Sequence, residues 1–282
     1  GAGRMAPACR PGNAAVHFRA MAEAYVGQRY DPEPGRKRPS AAGVSAKFAR
    51  TLADCFGGQE AALLQHPRWR LHVVTSRGRS RLLQREGRWR TPLGYLGAFA
   101  ANALHRPWLG AWLERVVFSD GRTPLGVDWR DFRTQRVDLS EANLLPSLLA
   151  SCSIPFWLQA QSNLPGAPAG VYWDGGITDY HLHLNYAAMA GEGLVLYPHF
   201  QRQVIPGWLD KSLKGRHAAT AFLDNVVLLA PRSDWVARLP RGKLPDRDDF
   251  QHYGDDVQAR ARAWQAAMAE SERLREDFIE AC

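Results

Sequence analysis

The sequence predicts an α/β fold with a mainly parallel sheet. Two observations carry this expectation. Short runs rich in β-branched and aromatic residues recur along the chain, and stretches with apolar residues at helical spacing lie between them. A third observation sets the scale. With 282 residues, 45% hydrophobic and 23% charged, the chain has globular composition and enough length to bury a full core. No linker forces a split, so one domain over residues 1–282 is expected, with 201–282 as a C-terminal extension. No uninterrupted apolar run reaches the ~18 residues of a membrane-spanning helix.

In chain order, residues 13–29 read as a helix, with Val16, Ala20, Ala24 and Gly27 on one face. Ser40 or Ser45 is placed to cap a second helix through Phe48, Leu52 and Phe56. A short helix over 59–66 stops at Pro67. Leu71-His72-Val73-Val74-Thr75-Ser76 is the first clear strand. Residues 93–113 are apolar, with Leu93, Leu96, Ala100, Leu104 and Trp108 at helical spacing and Pro107 as a break. Residues 115–119 read as a strand turning at Asp120-Gly121, and 132–139 as another. Ser140 caps a helix whose apolar face is Leu144, Leu145, Leu148 and Leu149. A Pro/Gly loop over 161–170 leads to a strand ending at Asp174. Leu194–Pro198 and Val226–Pro231 read as buried strands and 232–254 as loop. A long amphipathic helix over 255–281 closes the chain, carrying Val257, Trp264, Met268, Leu274 and Phe278.

The net charge of +8 suits a solvated surface, and it also suits attraction to anionic lipid headgroups or nucleic acid. Arg68-Trp69-Arg70 and Arg77-Gly78-Arg79-Ser80-Arg81 mix basic and aromatic residues, but no nucleic-acid-binding signature accompanies them, so a nucleic-acid partner is not expected. The 10 tryptophans fit core packing, an amphipathic rim or a lipid-facing surface. Cys9, Cys55, Cys152 and Cys282 lack metal-type spacing and read as reduced thiols of a cytoplasmic protein. The opening Gly1-Ala2-Gly3-Arg4-Met5 shows neither an initiator methionine at position 1 nor a signal-peptide pattern, so the chain is expected to be a fragment or a processed piece.

The chemistry concentrates in two runs. Gly170-Val171-Tyr172-Trp173-Asp174-Gly175-Gly176-Ile177-Thr178-Asp179 is a strand that ends in an acid and turns on two glycines. The carboxyl end of a strand is where open α/β sheets place their ligands. The other run is Ala150-Ser151-Cys152-Ser153-Ile154-Pro155, which leaves an apolar helix. Ser151, Ser153, Pro155, Asp179 and His181 are candidates for the rim of a site around Asp174. A catalytic Cys152 has no identifiable partner. His181-x-His183 with Asp179 has a metal-like look, but no third ligand stands at fixed spacing, and no metal is expected.

Taken together, the two runs resemble the C-terminal signature of patatin-like phospholipases, which are lipid acyl hydrolases. The resemblance implies a three-layer α/β/α fold, a Ser–Asp dyad with Asp174 as its acid, and no cofactor. It implies a lipid or ester substrate and contact with a membrane surface. The family's nucleophile lies far upstream in Gly-x-Ser-x-Gly. Gly43-Val44-Ser45-Ala46-Lys47 lacks the closing glycine and follows no strand, so Ser45 reads as a helix cap. Gly1 fits better as the closing glycine. The serine would then precede the chain, which would lack the N-terminal strand and oxyanion loop and be inactive by itself. The alternative is a non-catalytic relative that binds lipid surfaces or a protein partner. In place of the family's usual Asn-x-Pro segment stands Thr178-Asp179-Tyr180-His181-Leu182-His183.

Overall fold

A computed structural model describes residues 2–36, 38–123, 125–129, 131–189 and 193–281, with residue 281 described by its backbone alone. Gly1 and Cys282 lie outside the described residues. The elements in order are α1 (Ala2–Met5), α2 (Ala14–Val26), α3 (Ala41–Phe56), α4 (Glu60–Leu64), β1 (His72–Gly78), α5 (Arg90–Leu104), β2 (Leu113–Ser119) and β3 (Thr134–Asp138). There follow α6 (Glu141–Ala150), β4 (Gln161–Ser162), β5 (Val171–Asp174), β6 (Val195–Pro198), β7 (Val226–Leu229), α7 (Ser233–Arg238), α8 (Asp248–Tyr253) and α9 (Val257–Ala281). Two compact units result. The first comprises Gly1–Phe18, Tyr30–Gly193 and Gln203–Asn225, and the second Arg19–Arg29, Leu194–Arg202 and Val226–Cys282.

The first unit is built on a five-stranded sheet in the order β3-β2-β1-β5-β4. The fold is α/β, but the sheet is mixed rather than mainly parallel. Only β2 and β3 pair parallel; β1 is antiparallel to both β2 and β5, and β4 is antiparallel to β5. The reason lies in residues 79–112. A helix between two strands suggests a crossover, yet here it is an excursion whose ends meet. The Arg79 and Ser80 amides both donate to Trp112 O, at 2.9 and 3.2 Å, so β2 starts where β1 stops. The 161–170 loop likewise contains the two residues of β4, closed onto β5 by Asn163 N donating to Gly170 O at 2.9 Å.

β1 is central, and its buried Thr75 and Ser76 both have partners. Thr75 Oγ1 donates to Val116 O at 3.0 Å, and Ser76 Oγ lies 2.9 Å from Thr178 Oγ1. Side chains of β5 alternate as a strand requires. Val171 and Trp173 join Tyr95 and Ala98 of α5 in one cluster with Leu83, Leu109 and Leu113. Tyr172, of opposite parity, is fully buried and its ring meets Phe118 at 6.3 Å. α6 packs on β1, β4 and β5. It starts at Ser140, whose amide donates to Asn143 Oδ1 at 2.8 Å. α3 is capped by Ser40, which accepts from Gly43 N at 3.0 Å. Ser45 is therefore not a cap: it sits inside α3, buried, and accepts from Gln159 N at 2.8 Å.

In the second unit β6 and β7 pair parallel as a separate two-stranded sheet. They are not buried strands, since Leu196 and Val227 are exposed and their neighbours only half-buried. A short apolar run cannot by itself reveal how many of its faces are covered. The stretch 232–254 is not all loop, because α7 and α8 form within it. Trp235 and Leu239 pack with Ala267 of α9. Trp264 donates through Nε1 to Asp249 Oδ2 at 2.9 Å and stacks on Tyr25. No helix among the described residues is long and apolar enough to cross a membrane.

Candidate active site at the end of strand β5

The two chemically distinctive runs meet. The Asp174 amide donates to Ser153 O at 3.0 Å, tying the end of β5 to the exit of α6. Within the sheet Asp174 stands opposite Thr75. The chain then leaves in a 3-10 turn over Gly175–Ile177. Gly175 crosses the backbone of β1 so closely that a Cβ would fall 2.1 Å from Val74 O. Such an approach demands glycine. Gly176 N donates to Asp174 Oδ1 at 2.6 Å and so fixes the carboxylate beside its own turn.

The electrostatics suit a base. Burial pushes the Asp174 carboxyl above its usual range, and the Gly176 N–H only partly offsets that shift. Tyr95 lies close enough for the Asp174 charge, after burial itself, to raise the phenol well above its ordinary value. Its hydroxyl is buried with no hydrogen-bond partner among the described residues, and its ring meets Trp173 edge-on at 6.0 Å. Phe156 also packs edge-on against Tyr95, at 6.0 Å, and holds a φ of 71°. A bulky side chain in the left-handed region is strained, and strain of this kind concentrates at functional sites. Phe156 borders a cleft of about 440 Å³ whose other walls include Glu86, Thr91, Pro92 and Gln159. Burial also raises the Glu86 carboxyl.

The remaining sequence candidates take other places. Ser151 follows the last residue of α6, and Ser153 turns its hydroxyl back to Leu149 O at 3.0 Å. Ser153 holds the turn to Asp174 through its carbonyl, and Pro155 is buried two residues on. Burial, reinforced by the Asp174 charge, lifts the Cys152 thiol to about 11, so it stays protonated at neutral pH and is a poor nucleophile. Asp179 is buried against Arg115, accepting from Nε at 2.7 Å and Nη2 at 2.6 Å. His181 is buried too, with Nδ1 taking the Ile205 amide at 2.9 Å. His183 Nε2 lies 3.1 Å from Thr220 Oγ1, and burial lowers its pKa. Among the described residues no group of three or more His, Cys, Asp or Glu could hold a metal ion.

Sequence reasoning missed Tyr95, Phe156 and Glu86. Tyr95 looks like any core aromatic, and only the fold brings it to Asp174. Phe156-Trp157 did carry a signal: two large aromatics directly after a proline, both exposed in the fold. No protein-family model, curated protein or solved structure matches the chain.

Proposed function

We propose that this site is the acid half of a lipid acyl hydrolase of the patatin-like kind, with a three-layer α/β/α architecture. The observation that carries the reading is the hydrogen bond joining Asp174 to the Ser-Cys-Ser turn. It unites the two runs on which the resemblance rests around one desolvated carboxylate. The turn at Cys152 also lies against the start of the chain: a Cβ on Gly3 would sit 3.8 Å from Cys152 Sγ.

In this reading Asp174 is a general base. It takes the proton from the serine hydroxyl as Oγ attacks the ester carbonyl, and returns it to the departing alkoxide oxygen. A water, giving its proton to Asp174, then attacks the acyl carbon; the bond to the serine Oγ breaks, and Asp174 returns the proton to that oxygen as the acid leaves. A raised carboxyl pKa makes a stronger base at the cost of needing higher pH to be ionised. Hydrolysis should therefore fall as pH drops through the raised value.

Extending the chain with a strand, Gly-x-Ser-x-Gly and an oxyanion loop should confer cleavage of p-nitrophenyl esters, and Asp174→Asn should abolish it. Cleavage by the 282-residue chain that survives Asp174→Asn would sink the reading.

A further inference from the structure

The outer face of α5 is apolar and exposed. Trp89, Leu93, Leu96, Ala100 and Leu104 follow at intervals of three or four residues, forming one stripe along about 22 Å of helix. Trp89 is 71% exposed, Leu96 64% and Leu104 75%; Trp108, just beyond the helix, is 56% exposed. These are residues whose helical spacing ordinarily signals a core face. The core face lies opposite, where Tyr95 and Ala98 are buried. There Gly97 approaches Trp112 so closely that a Cβ would fall 2.1 Å from its ring. A helix apolar all round belongs in a core or in lipid, and only one side of α5 is in the core. An apolar surface of this extent marks an interaction site.

The occupant is indicated by charge. Arg81, Arg85 and Arg88 cluster where the chain enters α5, all exposed, and none forms an ion pair among the described residues. Arg88 lies over the Trp89 ring at 5.4 Å. Glu86 is the sole acid from residue 79 to 104, and it accepts from Ala160 N at 3.3 Å. Tryptophans stand at both ends of the stripe, as they do where side chains straddle a headgroup boundary. We propose that the outer face of α5 docks this chain on an anionic lipid surface, its Trp and Leu side chains in the headgroup boundary and its three arginines on lipid phosphates. The cleft walled by Pro92 and Phe156 opens beside the stripe, with Phe156 and Trp157 exposed at its edge.

Sedimentation of the 282-residue chain with vesicles tests this. The chain should bind phosphatidylcholine vesicles carrying phosphatidylglycerol far better than pure phosphatidylcholine, and less as salt rises. Arg81→Gln/Arg85→Gln/Arg88→Gln should weaken binding roughly a hundredfold, each charge near the surface contributing about a factor of five. Leu93→Asn/Leu96→Asn should weaken it by about tenfold or more through lost apolar burial. Both variants alter exposed positions, so their thermal melts should overlay that of the parent chain. The proposal is overturned if the parent chain ignores both vesicle types, or if the folded variants bind as well as it does. Self-association that Leu93→Asn/Leu96→Asn abolishes, without vesicle binding, would instead make the stripe a contact between copies. Ester cleavage plays no part in this readout, so docking and hydrolysis stand or fall separately.

Discussion

Asp174 illustrates how one residue's environment sets its cost and its use. Its carboxyl is raised by burial, so over the interval from the ordinary value to the raised one the folded state holds the proton and the unfolded state does not. Stability from this group therefore falls as pH rises through that interval. Asp174→Asn keeps an acceptor for Gly176 N and removes the charge. It should raise the melting temperature at neutral and alkaline pH, and the gain should vanish below the ordinary carboxylate range; melts across pH check the sign. Gly175 makes the opposite case. Gly175→Ala places a methyl on the Val74 carbonyl and should cost about 3 kcal/mol or more in urea unfolding. Gly176→Ala, whose Cβ would stand 3.0 Å from Asp174 Oδ1, should cost less than Gly175→Ala, because a side chain can shift where a strand cannot.

Elements are held in place by buried charge as well as by packing. Arg115 of β2 reaches Asp179 after β5 and Asp131 before β3, at 2.6 and 2.7 Å, and its guanidinium lies 4.2 Å from the Phe132 ring centroid. The two carboxylates hold the arginine charged despite its burial. Arg115→Met would strand Asp179 as an unpaired buried charge and should destabilise by roughly 3–5 kcal/mol. Restoring neutrality with Asp179→Asn in the same chain should recover part of that loss, which a double-mutant cycle measures. The run at 178–183 marks a departure from the resembled family, and in this fold its acid serves the sheet through Arg115. α5 shows a different lesson at this scale. Its periodicity was legible, but periodicity names a stripe without saying whether core or solvent meets it.

At the scale of the molecule, most element positions were legible. Strand-forming runs at 71–76, 115–119 and 171–174 and helices at 41–56, 141–150 and 257–281 follow from local composition and spacing. Strand direction was not legible, because it depends on whether the two ends of a connection meet. The Trp112 carbonyl bonded to Arg79 and Ser80 decides that point. The grouping of chain segments was hidden for the same reason. Residues 19–29 join 226–282 in one unit through contacts such as Tyr25 on Trp264, which no local pattern encodes.

The sequence by itself determined that this chain carries an acid at a strand end, followed by glycines, and a Ser-Cys-Ser turn after an apolar helix. Those features are local, written in residue types and spacing. Only the tertiary structure decided that the turn and the acid share a hydrogen bond, that Tyr95 and Phe156 stand beside them, and that Asp179 and His181 are occupied elsewhere. These are meetings of residues tens of positions apart. They are set by which faces the core covers, and that is a property of the packed chain rather than of any stretch of it.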